Sequence, residues 1–211
     1  MILGIIPARG GSVRIPRKNV KDLAGKPMMA WTIEAAKASK IDRFVVTTED
    51  AEIANVAEAW GAEVFDRDPK YADSSIYDAI FEVMDAIPST WVVLLHPTSP
   101  LRTAEDIDAC IDLCMTHAAP SCVSCEFTVP VPNGAVYVAY SSWLREHRNF
   151  DGPRTVVYQM PTYRSVDVNV QADLERAEVL LKNPPKSLQE ELDAPYTARS
   201  FDPDGPSWGP A

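Results

Sequence analysis

Four times within its first 115 residues this chain sets a short apolar run before a stretch whose apolar residues recur at helical spacing. The runs extend from Ile2 to Ile6, Arg43 to Thr48, Ala62 to Phe65 and Trp91 to Leu95. The helical stretches begin near Met28, pass through Ile53 to Trp60 and Ile76 to Ile87, and occupy Ala104 to Met115. The last run, WVVLL, is apolar at every position, the mark of a strand covered on both faces. Strands alternating with helices predict an α/β fold with a largely parallel sheet, since each helix carries the chain back to start the next strand in the same direction. In such sheets ligands gather beyond the carboxyl ends of the strands. Three segments follow strands directly and should share one rim: Arg9 to Lys18, Thr48-Glu49-Asp50, and His96-Pro97-Thr98.

The first of these segments carries unusual charge. Pro7 to Asn19 is PARGGSVRIPRKN, and from Arg9 to Lys26 six cations (Arg9, Arg14, Arg17, Lys18, Lys21, Lys26) stand against one anion, Asp22. That island of +5 sits in a chain of formal charge −10, so the remainder carries −15. A glycine-containing basic loop between a buried strand and a helix suits a polyanionic small ligand, because glycines expose backbone N–H groups to phosphate. A solvated basic loop is the plainer alternative, and the Gly10-Gly11-Ser12 turn favours phosphate over it. Outside the island no basic stripe with interleaved aromatics occurs, so no nucleic-acid partner is expected.

The remainder is less regular. Ser121 to Phe127, Ala135 to Ala139, Val156 to Met160 and Ser165 to Val168 suit strands, Pro132-Asn133-Gly134 a tight turn, and Ser141 to His147 and Gln171 to Leu181 helices. Residues 1–182 are expected to form one domain, and 183–211, with six prolines, a C-terminal tail. No apolar stretch nears the roughly 18 residues of a membrane span, and Met1 to Ile6 is short for a signal peptide. The expectation is a cytoplasmic protein with no membrane partner. Cys110, Cys114, Cys122 and Cys125 form C-x3-C and C-x2-C pairs, which suit zinc or redox chemistry by spacing. Buried thiols are the favoured alternative, because the odd spacing of Cys122 and Cys125 sends them to opposite faces of a strand.

With the basic loop, PTSPLR and a late acidic residue in place, the chain resembles the CMP-sialic acid synthetases, more broadly the acylneuraminate cytidylyltransferases of the sugar-nucleotidyltransferase superfamily. The similar segments are IPARGGSVRIPRKNVKDLAGKPMMAWTIEAA at 6–36, VVTTEDAEIANVAEAWGAEV at 45–64, LLHPTSPLRTAEDID at 94–108, PNGAVYV at 132–138 and SVDVNVQADLERAE at 165–178. The resemblance implies a Rossmann-like three-layer nucleotide-diphospho-sugar transferase fold with a mostly parallel central sheet. It implies an enzyme that joins CMP from CTP to a small acidic sugar, a nonulosonic α-keto acid, with Mg²⁺ as cofactor and pyrophosphate as leaving group. On this footing Arg9, Arg14 and Lys18 hold the triphosphate with the backbone of Gly10, Gly11 and Ser12. Asn19 helps to place the nucleotide, and Arg67 and Ser75 correspond to base and ribose contacts. Asp167 matches the first acid of the family's D-x-D pair and is the expected metal ligand and catalytic residue; a cap on the helix at 171–181 is its alternative. Asn133 and Gly134 match the acceptor-side turn.

Four departures bear on that picture. The family's usual lysine after GGS is Val13, with Arg14 beside it as in CMP-pseudaminate synthetases and KDO cytidylyltransferases. The second acid of the pair is Asn169, a neutral oxygen ligand. His96 stands where the family has glutamine before PTSPLR; it either contacts the acceptor or satisfies a strand end. The family's long excursion after the Ser121 strand is reduced to Glu126–Val131, which points to a monomer or to a dimer built from another surface. Without it the cations left for an acceptor carboxylate are Arg102, Arg154 and Arg164, with Arg164 taken as the acceptor-binding residue. The departures leave open a cytidylyltransferase for another keto-acid sugar, or a nucleotide-binding homologue with impaired catalysis.

Overall fold

Period-two alternation along the strands sorts the core into two layers, one on each face of a central sheet. Leu3, Ile5, Val92 and Leu94 join one cluster, whereas Ile6, Val93 and Leu95 join the other. The computed structural model describes residues 1–71, 74–127, 131–184 and 199–200. The strands are β1 (Ile2–Pro7), β2 (Asp22–Leu23), β3 (Lys26–Pro27), β4 (Arg43–Thr48), β5 (Glu63–Asp66), β6 (Trp91–Leu94), β7 (Ser121–Glu126), β8 (Pro132–Tyr140), β9 (Val156–Met160) and β10 (Arg199–Ser200). The helices are α1 (Met28–Ala38), α2 (Ala51–Ala59), α3 (Ile76–Ala86), α4 (Ala104–Thr116), α5 (Ser141–His147) and α6 (Gln171–Lys182).

The main sheet has the order β10-β9-β7-β8-β6-β1-β4-β5. β1 runs parallel to β4 and β6, β4 to β5, and β7 to β9, while β8 opposes β6 and β7 and β10 opposes β9. This is the expected three-layer α/β arrangement with a mostly parallel sheet. Buried residues of α1, α2 and α4 cover one face, and those of α3 and α5 cover the other. Because β8 runs against β6, its first residues return to the rim where β6 ends, beside His96.

A third, smaller cluster fixes the functional end. Ile15 of the basic loop and Leu23 of β2 are buried with Leu101, Val166, Val168 and Leu174. Apolar residues flanking the charged ones thus pull the loop and the segment before α6 together, so that Lys18 and Asp167 meet although they lie far apart in sequence.

Two local expectations are corrected. Pro132-Asn133-Gly134 opens β8 rather than forming a tight turn, and Gly134 takes φ +80°, a left-handed conformation that a side chain would strain. Ser165 to Val168 is not a strand: the Val168 N–H goes to the Thr98 carbonyl at 2.7 Å, off the sheet. Ahead of α1, β2 and β3 pair as a two-stranded antiparallel ribbon. Of the tail, Asn183 and Pro184 follow α6 and β10 pairs with β9; the rest of 183–211 lies outside the described residues.

The four cysteines are buried and free. Cys110, Cys114 and Cys122 lie in one face's core and Cys125 in the other's, so the four cannot converge on one ion. Burial raises the thiols above their ordinary range, Cys125 to about 12.

Candidate functional site

A cleft of about 700 Å³ opens at the carboxyl ends of β1, β5 and β6. Its basic wall is the loop after β1, which contributes Arg9, Ser12, Arg14, Lys18 and Asn19. The facing wall comes from the segment before α3, with Arg67, Tyr71 and Ser75, and from Tyr77 in the helix's first turn; the floor comes from His96, Pro97 and Thr98. Asn169 closes one end. Of the three segments expected on one rim, the basic loop and His96-Pro97-Thr98 line this cleft and Thr48-Glu49-Asp50 does not; of the residues inferred from the resemblance, Asp167, Asn133, Gly134 and Arg164 also lie outside its lining.

A pair of acids from β4's carboxyl end shapes the loop. The Gly10 N–H donates to Glu49 Oε1 at 2.8 Å, and Arg17 donates to both oxygens of Asp50 at 2.6 and 2.8 Å and to Glu52. Asp50 also caps α2, accepting from the N–H groups of Glu52 and Ile53. A Cβ at position 10 would lie 2.4 Å from Asp50 Oδ2, so the loop closes on this aspartate only with glycine there. The Arg17 hydrogen bonds hold the Asp50 carboxyl down to about 2.

These bonds limit what the loop backbone can offer. Gly10 N–H is already donated to Glu49 and Ser12 N–H to the Gly10 carbonyl at 2.9 Å, so the expected amide cradle reduces to Gly11 in this conformation. The side chains are more available. Among the described residues the guanidinium groups of Arg9 and Arg14 enter no hydrogen bond or ion pair, and both residues are exposed. Lys18 is half-buried, and its Nζ donates to the Val168 carbonyl at 2.7 Å. Burial lowers its pKa; Asp167 opposes that shift, and Arg14 and Arg9 reinforce it.

Other expected residues are anchored by their surroundings. Asn19 is 5% exposed and donates to the Arg9 carbonyl at 3.0 Å, so it shapes the loop as well as lining the cleft. Arg67 is 4% exposed, donates to the Thr47 carbonyl at 2.7 Å and lies 3.4 Å from Glu49 Oε2. Ser75 caps α3 through the Tyr77 N–H.

On the acceptor side two expectations change. Arg164 is 6% exposed and donates to both oxygens of fully buried Asp106 at 3.0 and 2.7 Å; it is a buried structural ion pair, not a free cation. Asn133 spends its amide on the protein: its Oδ1 accepts from Ser124 Oγ at 2.7 Å and its Nδ2 donates to Ser165 Oγ at 3.0 Å. The other two arginines are also engaged. Arg102 is 3% exposed and donates to the Ala135 and His96 carbonyls. Arg154 donates to the Ala118 carbonyl and lines a separate cavity with Trp91 and Trp143. His96 is half-buried in the cleft wall. Burial pushes its imidazole down to about 4 against the opposing pull of Asp167, with Arg102 and Lys18 adding to the depression, so it is neutral near pH 7.

Asp167 does not line the cleft; it lies near His96 and Ser99, around Gly134. Its Oδ2 accepts from Asn169 Nδ2 at 2.6 Å, while Oδ1 is buried without a partner. It does not cap α6, because Asp173 takes the N–H groups of Asn169 and Val170 at 2.8 and 2.9 Å. An orphaned carboxylate oxygen beside a phosphate-sized basic wall fits a hard divalent cation. Among the described residues no three His, Cys, Asp or Glu side chains converge, so any such ion would rely on few protein ligands.

Sequence reasoning missed Glu49 and Asp50 as site residues, although their place after β4 put them on the rim. It also gave no role to Ser99 of PTSPLR, whose buried hydroxyl has no partner.

The chain matches the cytidylyltransferase family over residues 3–129. It is 39% identical over 122 residues to the CMP-N,N'-diacetyllegionaminic acid synthase of Legionella pneumophila, a match covering 53% of this chain and about half, 52%, of that protein. It is 30% identical over 224 residues to the pseudaminic acid cytidylyltransferase of Campylobacter jejuni, covering 85% of this chain and 96% of the relative. Among solved structures, CMP:2-keto-3-deoxy-manno-octonic acid synthetase complexed with CTP superposes with a TM-score of 0.71 at 17% identity, covering 87% of this chain and 99% of that one. That last likeness is one of fold.

Proposed function

Since the chain belongs to the cytidylyltransferase family, we propose that it joins CMP from CTP to a nonulosonic, sialic-acid-like α-keto acid with release of pyrophosphate. The observation that carries this reading is the cleft itself: Arg9 and Arg14, with guanidinium groups uncommitted, line one wall together with Lys18, whose ammonium lies within reach of the Asp167 charge. The names of the relatives, which act on legionaminic, pseudaminic and other keto acids, support the acceptor class.

The acceptor's anomeric hydroxyl attacks the α-phosphorus; the new O–P bond forms as the bond to pyrophosphate breaks, and the hydroxyl proton passes to solvent water. Arg9, Arg14 and Lys18 hold the triphosphate and neutralise the charge that builds on the leaving group. Mg²⁺ on Asp167 would add charge neutralisation at the phosphates. Asn169 braces Asp167 from the side, and the neutral His96 presents a hydrogen-bonding group to the acceptor without adding charge. Arg102, Arg154 and Arg164 are all engaged elsewhere, so among the described residues that line the cleft the acceptor's carboxylate must share the cations of the basic loop with the triphosphate. We place the reaction in the cytoplasm; among the described residues no helix is long and apolar enough to cross a membrane.

The test is a pyrophosphate-release screen with the four nucleoside triphosphates, Mg²⁺, and a panel of sialic, legionaminic, pseudaminic and eight-carbon keto acids. Release with CTP and a nine-carbon acid is expected. Calorimetric CTP binding with no release on any acceptor would leave a nucleotide-binding protein instead.

Within the loop the two arginines should separate. Arg14→Ala is expected to raise the CTP dissociation constant by about 10-fold or more, the loss of one charge-assisted contact. Arg17→Ala should raise it less, because Arg17 is spent on Asp50 and Glu52. Equal constants for the two variants would refute the assignment.

A further inference from the structure

Gly134, at the head of β8, leaves a small space where any other residue would carry a Cβ. That point lies 3.6 Å from Ser99 Oγ, 3.9 Å from Asp167 Cγ and 4.0 Å from His96 Nδ1. Polar side chains from two other segments therefore converge on one niche. Two of their atoms are unusual: Ser99 is 1% exposed and its hydroxyl has no hydrogen-bond partner, and Oδ1 of Asp167 is likewise buried and unpaired. Buried polar atoms are seldom left unsatisfied, and two on side chains that border the same niche share an explanation when one ligand serves both.

We infer that Ser99 is a positioning residue for the divalent cation held by Asp167, its hydroxyl accepting a hydrogen bond from the cation's hydration shell. This rests on the reading of Asp167 given above. Mg²⁺ sheds water reluctantly and keeps several waters in protein sites, so groups that hold those waters fix the ion as much as its direct ligands do. The need is greater in this chain. Asn169 replaces a second acid, and its amide donates to Asp167 Oδ2, which leaves a single free carboxylate oxygen. A buried hydroxyl across the niche supplies the missing hold without adding charge. Gly134 keeps the space open, and the clip from Val168 N–H to the Thr98 carbonyl keeps the Ser99 and Asp167 segments in register.

Calorimetry on the whole chain tests this by measuring CTP binding twice, with EDTA and with excess Mg²⁺, for wild type, Ser99→Ala and Asp167→Ala. Mg²⁺ should strengthen CTP binding to wild type. Ser99→Ala should leave the EDTA constant unchanged and weaken the Mg²⁺ constant by about tenfold, the usual scale for an outer-shell partner. Its metal-free melting temperature should stay level or rise, because the variant deletes an unpaired buried hydroxyl. A Ser99→Ala Mg²⁺ constant within twofold of wild type, with Asp167→Ala impaired, would overturn the role of Ser99 alone. An Asp167→Ala variant that keeps the full Mg²⁺ effect would overturn the metal reading and this inference with it. A fall in the metal-free melting temperature of Ser99→Ala would mark the hydroxyl as structural and also overturn the proposal.

Discussion

Asp167→Ala is expected to lower the rate of pyrophosphate release by about 10³-fold, the several kcal/mol that a cation contributes to phosphoryl chemistry. The fold should survive, since among the described residues this carboxylate accepts a hydrogen bond from Asn169 alone, and α6 is capped by Asp173. Chelating the metal from the wild-type protein should reproduce the loss, and doing so in the variant should add nothing. A fall of less than tenfold, or an additive effect of EDTA, would assign Asp167 a structural part. The informative companion is Asn169→Asp. It replaces the amide that braces Asp167 with a second carboxylate, so the metal-free protein should lose stability through like-charge repulsion while Mg²⁺ binds more tightly. Stability and metal affinity moving in opposite directions would identify Asn169 as a brace that leaves the site weaker but better formed when empty.

Arg164→Ala is expected to cost about 3–5 kcal/mol of folding free energy, read by urea unfolding, because it strands a buried charge. Asp106 is 0% exposed and accepts from Arg164 at 3.0 and 2.7 Å, from Tyr158 at 2.8 Å and from the Thr103 N–H at 2.9 Å. Without the guanidinium two of those contacts vanish and water cannot easily replace them. Removing both charges, in Arg164→Ala with Asp106→Ala, should cost less than the two single changes added together, the sign of a coupled pair. A single-variant loss below 1 kcal/mol would return Arg164 to the roster of acceptor-binding cations.

The Arg164 pair also shows where sequence reasoning stops. The βα repeats were legible because each strand and helix carries its own signal in consecutive residues: WVVLL for β6, the 3.6-residue spacing of α3, Asp50 ahead of α2. The fold followed from such local patterns, and so did the rim. What the local pattern cannot carry is the partner of a charge. Arg164 and Asp106 are 58 residues apart, and Gly10 and Glu49 are 39 apart. A free arginine and a paired one look alike in sequence. Asn133 misled for a related reason: Pro-Asn-Gly has the chemistry of a turn, yet antiparallel pairing with β7 and the bonds of Asn133 to Ser124 and Ser165 draw it into the start of a strand. Ser165 to Val168 erred the other way, since its apolar residues serve the small cluster around Ile15 rather than the sheet.

The bond from Lys18 to Val168 joins residues 150 positions apart, and a second, from Lys21 to Gln171, spans the same distance. This sets a timetable. Loop closure over such separations is among the slower steps of folding, so the basic wall can form early while the wall bearing Asp167 arrives only when the end of the domain has docked. A chain still being synthesised has no competent cleft until residue 169 is free to fold. Nucleotide binding therefore reports completion of the whole domain, and the substrate itself favours the finished state over every partly folded one.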